Sequence, residues 1–158
     1  MKDCGECSLC CKLVKVPGLA EAGEWCPNCK PGRVGGGCTI HENRPDFCKG
    51  YHCFWRAESW PDEFRPDKCK VIFEALPGVL TIVISVDPSR PDAWQEKAIR
   101  TIIEKLRRKG RPLVLKKKIG SEMFIPKGWN QERVLADLKK VIDWQEKNNG
   151  SSLIYNRS

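Results

Sequence analysis

Cysteine is the residue type in this chain whose number and spacing could do chemistry. Cys4, Cys7, Cys10 and Cys11 form the pattern Cys-x2-Cys-x2-Cys-Cys near the start of the chain. A Cys-x2-Cys turn directs two sulfurs toward one ion, and a third cysteine at the same interval adds a ligand. Adjacent cysteines cannot easily ligate one mononuclear ion together, so Cys10 and Cys11 would serve two sites or bridge two metals. The run predicts a metal site, because buried free thiols would not explain its spacing.

Two further groups of candidate ligands follow. One has, by itself, the spacing of a zinc site with three cysteines and one histidine: Cys26, Cys29, Cys38 and His41. The other consists of Cys48 and Cys53, with His52 between them. Both histidines are expected to lie exposed or to hydrogen-bond a ligand, because the thiolates already suffice for two four-coordinate sites. Cys69 stands outside all of these groups.

The cysteines are distributed unevenly, since nine of the ten lie between residues 4 and 53 and none follows Cys69. The start of the chain lacks the apolar run of a signal peptide, and no stretch approaches the ~18 apolar residues of a membrane span. These features predict a cytoplasmic protein that does not enter the membrane. Disulfides are rare in that compartment, so metal ligation is the economical interpretation of the thiols.

The net charge of +8 lies entirely in the second part of the chain. Residues 1–69 carry ten basic and ten acidic side chains, whereas residues 70–158 carry eighteen basic and ten acidic ones. Two basic clusters, at residues 107–111 and 116–118, could attract a phosphate backbone. No nucleic-acid-reading motif accompanies them. A solvated face is therefore the simpler interpretation, and a basic nucleic-acid-binding module with a zinc scaffold is kept as an alternative.

The neighbours of the cysteines extend the pattern. Cys26 follows a tryptophan, Cys53 lies between Tyr51 and Trp55, and residues 37–45 read Gly-Cys-Thr-Ile-His-Glu-Asn-Arg-Pro. In this order and spacing the chain resembles the CxxCxxCC family, also called YkgJ-like, to which zinc or iron chelation is ascribed. The resemblance covers roughly residues 4–56. It implies eight metal ligands: Cys4, Cys7, Cys10, Cys11, Cys26, Cys38, Cys48 and Cys53.

The residues and the resemblance together predict a metal-binding protein that holds an iron–sulfur cluster, zinc or one of each. Cys29 and Cys69 fall outside the family pattern, which weakens a separate zinc site that needs Cys29. The role would be structural, redox or metal-handling, with metal ions as partners and a protein partner left open. Larger proteins that methylate flagellin lysines bear the same cysteine signature, so the resemblance also allows a protein-modifying enzyme or accessory. The chain itself offers no glycine-rich nucleotide motif and no histidine outside the cysteine-rich part.

The elements that must position the cysteines are expected to be short. Residues 1–69 lack regular periodicity and contain many Gly and Pro turn signals. They predict an irregular, cysteine-rich metal-binding knot with short helices over residues 8–14 and 45–55. The triple glycine at residues 35–37 would let the backbone approach a metal centre closely or would form a flexible loop.

Residues 70–147 predict an α+β unit of order β-β-α-β-β-α. The expected strands cover residues 71–76, 79–86, 113–117 and 122–125, and the expected amphipathic helices cover residues 92–109 and 130–147. The apolar side of the second helix consists of Val134, Leu135, Leu138, Val141 and Ile142. The two helices should pack on one face of a small, mostly antiparallel sheet. A mobile tail is expected over residues 148–158.

Overall fold

The computed structural model describes residues 2–16, 18–33, 36–75 and 78–147, and its regular elements are short in the first half of the chain. The helices are α1 (Cys10–Leu13), α2 (Asp46–Gly50), α3 (Phe54–Ala57), α4 (Pro66–Cys69), α5 (Lys97–Arg108) and α6 (Gln131–Lys147). The strands are β1 (Val71–Glu74), β2 (Ile82–Val86), β3 (Leu113–Lys116) and β4 (Ser121–Phe124). The predicted tail at residues 148–158 lies outside the described residues.

The four strands form one mixed sheet in the order β1-β2-β3-β4, so the α+β class is confirmed. The outer pairs β1–β2 and β3–β4 are antiparallel, as in hairpins. The central pair β2–β3 is parallel, which corrects the expectation of a mostly antiparallel sheet. The reason is that α5 connects β2 to β3, and a helical crossover of this length returns the chain in the same direction.

One face of the sheet and α5 form the larger apolar core. Residues that alternate along the strands, such as Phe73, Ile84 and Leu115, pack with Ile99 and Ile103 of α5. The first predicted helix begins later than expected, because Glu96 has extended backbone angles and separates a 3-10 turn from α5. The turn still contributes to the core through Ala93, which is fully buried.

The other face of β1 carries the cysteine-rich region, meaning the described residues up to 69. Ile72 of β1 is fully buried in a second core with Leu9, Leu13 and Phe47. This region contains turns and short helices, and the helix predicted over residues 45–55 is divided into α2 and α3. The boundary between units at residues 69 and 70, and the metal-binding character of the region, remain predictions.

Two polar contacts, each made by a buried carboxylate, join the cysteine-rich region to the sheet. The Tyr51 hydroxyl donates a hydrogen bond to Glu74 Oε2 at 2.9 Å. Lys12 Nζ lies 2.7 Å from Asp87 Oδ1, and both side chains are largely buried. Burial raises the pKa of Glu74 above its ordinary value, although the bond from Tyr51 opposes that shift. Both contacts fix the orientation of the region on the sheet.

A buried carboxylate holds helix α6, and not all of the apolar side chains predicted to anchor this helix are buried. Val134 is buried as predicted, but Leu135 is 47% exposed and the prediction for it is wrong. Asp137 Oδ2 accepts hydrogen bonds from Leu80 N, Thr81 N and Thr81 Oγ1 at 2.8–2.9 Å. The side chains of residues 141 and 142 lie outside the described ones. Among the described helices, none has the length and apolar character needed to cross a membrane.

Candidate metal centre

A tight turn and a short helix shape the first cysteine run. Cys7 N donates to Cys4 O at 3.0 Å, and Gly5 between them has φ +56°, in the left-handed region that favours glycine. Helix α1 begins at Cys10, and its buried Leu13 anchors it in the second core. The packing of α1 therefore determines where the end of the run lies.

Arg56 joins the N-terminus to α3 and brings Cys4 close to Cys53. Lys2 N donates to Arg56 O at 3.3 Å, and Arg56 Nε donates to Lys2 O at 2.9 Å. Cys53 stands immediately before α3, where its carbonyl accepts a bond from Arg56 N at 3.1 Å. Burial raises the pKa of the Cys53 thiol, and the nearby Cys4 raises it further.

Cys7 and Cys10 complete a first group of four thiols. Burial raises the pKa of Cys7 to about 12, and Cys53 is among the neighbours that add to the shift. Cys4 and Cys7 both lie close enough to Cys10 to raise its pKa. Three of the four cysteines also pack against the second core. We call Cys4, Cys7, Cys10 and Cys53 the first thiol group.

Backbone hydrogen bonds gather three later cysteines beside Cys11. Cys26 N donates to Cys11 O at 2.8 Å, and Cys29 N donates to Cys26 O at 2.9 Å. Cys29 and Cys38 face each other in an isolated antiparallel bridge, flanked by two more backbone bonds of 2.8 Å. These bonds tie the segments around Cys26 and Cys38 to the end of the first cysteine run.

Cys48 lies near the same thiols. It is carried by α2, which Phe47 anchors in the second core. Burial raises the pKa of Cys48 to about 11, and Cys11, Cys38 and Cys26 each raise it further. We call Cys11, Cys26, Cys29, Cys38 and Cys48 the second thiol group.

Cys10 and Cys11 are the point where the two groups meet. A hydrogen bond between their side chains raises the pKa of Cys10 well above its ordinary value and lowers the pKa of Cys11 to about 6. Burial opposes the shift at Cys11, and a hydrogen bond with Cys29 reinforces it. Cys11 is therefore the member of the pair that more readily becomes a thiolate, the form that ligates metals.

Gly37 permits the close packing of the second thiol group. A Cβ atom at this position would lie 2.8 Å from Ser8 Cβ, 2.9 Å from Ser8 Oγ and 3.0 Å from Cys29 Sγ. Gly37 does not have a positive φ, so glycine is needed here for the space that it leaves and not for its conformational freedom. The buried Ser8 hydroxyl lies beside the Cys29 thiol and partly offsets the rise that burial causes in the pKa of Cys29. Only glycine leaves room for this contact.

Arg44 supplies positive charge and an unsatisfied donor beside the thiols. Its Nε is buried and has no hydrogen-bond partner within the described part of the chain. Its charge lowers the pKa values of Cys4, Cys11 and Cys48, although burial dominates at Cys4 and Cys48 and raises them overall. A buried donor without an acceptor costs free energy, and a thiolate or an inorganic sulfide is a suitable acceptor.

The two thiol groups fit a soft or borderline metal by their chemistry, since thiolates are the ligands of structural zinc and of iron–sulfur clusters. Across the described residues, however, no three His, Cys, Asp or Glu side chains stand in an arrangement ready to hold an ion. The thiols are neighbours, and closing them on an ion would require their side chains to move.

The remaining candidates lie apart from the thiol groups. Cys69 is buried in the larger core, where its thiol donates to Val71 O at 3.3 Å. His41 is exposed and contacts Glu42 and Arg44. His52 Nδ1 lies 3.0 Å from Arg56, and burial lowers its pKa. These positions agree with the expectation that Cys69, His41 and His52 are not ligands. The expectation itself remains a prediction.

One contributor to the site, Ser8, was not anticipated from the sequence. Cys29, a candidate ligand by its spacing, lies inside the second thiol group although the family pattern omits it. Ser8 is 7% exposed and packs directly against Gly37. The sequence feature that could have identified Ser8 is its small size, because a small residue among cysteines can occupy a crowded position.

No protein-family model, curated protein or solved structure significantly matches the chain.

Proposed function

We propose that this chain is a cytosolic metal-binding protein of the CxxCxxCC type. It would hold an iron–sulfur cluster, zinc or one of each, through the eight cysteines that the resemblance to that family implies. One observation carries the proposal. Nine cysteines from separate segments of the chain lie in the cysteine-rich region, where backbone hydrogen bonds and a shared apolar core bring several of them close to α1, whereas Cys69 lies in the larger core.

The energetics of the cysteine-rich region support the proposal. Its apolar core is small, since six buried residues and a few partly buried neighbours form it. Burial raises the pKa of most of its thiols, so their charged forms are costly without a bound cation. Structural zinc contributes ~10–16 kcal/mol to small domains, against a total stability of ~5–15 kcal/mol for ordinary proteins. A bound metal would therefore be sufficient to order the region.

The surroundings of the thiols would support a bound group in three ways. Gly37 lets the backbone approach the second thiol group, and Arg44 offsets thiolate charge. Tyr51 and Phe47 contribute an apolar wall beside Cys10, Cys48 and Cys53 that limits access of water. Zinc would supply rigidity there, and an iron–sulfur cluster would supply rigidity or one-electron transfer.

The test is metal analysis of protein purified without oxygen. Iron, zinc and acid-labile sulfide are measured per chain, together with the absorbance spectrum, for the wild type and for a Cys4→Ser/Cys7→Ser variant. The variant should lose metal, whereas Cys69→Ser, which alters a thiol of the sheet core, should keep it. Wild-type protein without metal, or an unchanged metal content in the double variant, would refute the proposal.

A second candidate function, nucleic-acid binding, is favoured by the outer face of α5. An open groove of about 730 Å³ runs along it and is lined by five basic side chains and one acidic one. Within the described residues no ion pair involves the five basic ones: Lys97, Arg100, Lys105, Arg108 and Lys109. The acidic Glu104 is paired with Arg107 at 2.7 Å. Such a row of unpaired cations suits a phosphate backbone.

Salt-dependent binding tests this second candidate. If α5 contacts phosphates, affinity for single-stranded or duplex nucleic acid should fall steeply between 50 and 200 mM salt, by roughly tenfold or more for several contacts. An Arg100→Gln/Arg108→Gln variant should reduce the slope, whereas Lys127→Gln, in the exposed loop before α6, should not. Binding that is independent of salt would exclude this function. The enzyme alternative stays a prediction of the resemblance, since no described contact favours it.

A further inference from the structure

Cys29 and Cys38 stand directly opposite each other in a short antiparallel pairing of two backbone segments. Two backbone hydrogen bonds of 2.8 Å flank the pair, one donated by Lys30 N and the other by Thr39 N. Because neither bond is made by the two cysteines themselves, they form a non-hydrogen-bonded pair. In such a pair the Cα atoms are about 4.5 Å apart, and the two side chains lie on the same face.

This arrangement meets the backbone requirement of a disulfide bond. The Cα atoms of a disulfide are usually about 4.4–6.8 Å apart, so the pair falls at the lower end of the range. The Cys29 thiol now lies against Gly37, where an added Cβ would be 3.0 Å from Cys29 Sγ. Rotation of the Cys29 side chain away from Gly37 is therefore the main change that a bond to Cys38 requires.

Other pairs of neighbouring cysteines are less suited to this bond. Cys10 and Cys11 are consecutive, so their Cα atoms are only about 3.8 Å apart. Cys26 shares a turn with Cys29 but is 8% exposed, whereas Cys29 and Cys38 are both partly exposed. The Cys29 thiol also lies beside Cys11, but the nearest backbone bond there runs from Cys26 N to Cys11 O. That bond does not fix the separation of Cys11 and Cys29.

From this geometry we infer that Cys29 and Cys38 are a redox-sensitive pair, which a small disulfide such as glutathione disulfide oxidises to a reversible intramolecular disulfide. Disulfides of cytosolic proteins are usually transient and serve catalysis or redox sensing. Cys38 is one of the eight implied metal ligands and Cys29 is not, so oxidation withdraws one ligand from the proposed metal site. This consequence, unlike the disulfide itself, rests on the metal-binding function proposed above.

The oxidation consists of two thiol–disulfide exchanges. The Cys38 thiolate attacks one sulfur of the small disulfide, which breaks the S–S bond of that molecule and releases its other half as a thiolate. The Cys29 thiolate then attacks Cys38 Sγ, forms the Cys29–Cys38 bond and releases the second half. The two released thiolates take up the two protons that the cysteines lose, and two electrons pass from the pair to the oxidant. A reducing thiol reverses both steps.

The position of Cys29 suits it to the second, intramolecular step. Burial raises the pKa of Cys29 to about 12, so little of this thiol is ionised at neutral pH. Reaction within one molecule offsets a small thiolate fraction, because the partner sulfur is already held beside the attacking group. Cys38 therefore meets the external oxidant first, and Cys29 resolves the mixed disulfide.

The experiment treats the full chain, purified without oxygen, with glutathione disulfide. Free thiols are then alkylated in denaturant, and disulfide-linked peptides are identified by tandem mass spectrometry. The wild type should lose two alkylatable thiols per chain, with Cys29 linked to Cys38, and dithiothreitol should restore both. Iron and zinc are measured in the same samples, and the metal content should fall on oxidation.

Two variants separate the pair from other effects of the oxidant. Cys29→Ser should keep its metal under the same treatment, whereas Cys69→Ser, which alters a thiol of the larger core, should behave as the wild type. Absence of a disulfide, or a bond from Cys29 to Cys11 or Cys26, would overturn the inferred pair. A Cys29–Cys38 bond with unchanged metal content would overturn its action on the metal site. A wild type purified without metal would instead refute the proposed function, and the peptide analysis would still decide whether the pair forms.

Discussion

The substitution Gly37→Ala tests whether the second thiol group needs the close packing seen around it. The new Cβ would lie 2.8 Å from Ser8 Cβ, whereas carbon atoms in contact are about 3.5–4.0 Å apart. At least one backbone must therefore shift by about 0.7 Å or more, because no rotamer change moves Ser8 Cβ. Inserting a methyl group into a packed site typically costs about 1–3 kcal/mol. We expect a loss of stability in this range.

The same shift should disturb the metal site. Gly37 O accepts from Lys30 N at 2.8 Å, so a displaced Gly37 would strain the pairing that positions Cys29 and Cys38. Urea unfolding gives the stability change, and the metal content of anaerobically prepared protein reports on the proposed metal site. The metal content should fall.

A double-mutant cycle with Ser8→Gly separates this collision from other effects. Removing Ser8 Cβ relieves two of the three close contacts, so Gly37→Ala should cost at least 0.5 kcal/mol less in that background. Gly128→Ala is the control, because nothing lies within 4 Å of its new Cβ. The only expected cost is the strain of a side chain on a left-handed backbone, about 1–2 kcal/mol. An equal cost of Gly37→Ala in both backgrounds, or an unchanged metal content, would refute the reasoning.

Three further predictions concern the thiols and the sheet. Cys29→Ser should leave the metal content unchanged, because the family pattern omits Cys29, and loss of metal would identify Cys29 as a ligand. Treatment with a chelator should increase hydrogen exchange in the cysteine-rich region while β2 and β3 stay protected, and equal protection in both parts would argue against metal-dependent order. Burial raises the pKa of Asp137, but hydrogen bonds from Lys140 and Thr81 outweigh it and leave the pKa below its ordinary value. The ionised carboxylate therefore stabilises the fold above about pH 4, and this contribution is lost as the pH falls further. Asp137→Asn should cost about 1–3 kcal/mol at pH 7 and clearly less at about pH 3 in urea unfolding, and a difference independent of pH would contradict the account.

The fold of the second half could be predicted because its elements have strong periodicity. The order of strands and helices followed from alternating and helical apolar patterns, and α6 begins within one residue of its expected start. The parallel pairing of β2 with β3 could not be read from these patterns, since it depends on where α5 returns the chain. Leu135 was misplaced because Asp137, bonded to Leu80 and Thr81, determines which side of α6 faces the sheet.

The candidate site could be predicted in its composition but not in its grouping. Spacing within a run indicates which thiols can share a turn, as for Cys4 and Cys7. It does not indicate which distant segment will lie beside them. The grouping of Cys4 with Cys53 depends on hydrogen bonds between Lys2 and Arg56, which no local pattern signals. The inclusion of Cys29 beside Cys11 likewise depends on the space left by Gly37.

The sheet gives the cysteine-rich region a support that small metal-binding domains usually lack. Ile72, Asp87 and Glu74 all belong to the sheet or its edge, and each contacts the region through a buried group. The apolar contacts of Ile72 with Leu9 and Leu13 do not depend on ligation of the thiols, and removing one partner of the Lys12–Asp87 pair would leave a buried charge unpaired. These contacts fix where helix α1 lies on the sheet, while the turns that carry the other cysteines would still depend on the metal for their order. Less of the binding free energy would then be spent on folding, and more would appear as affinity.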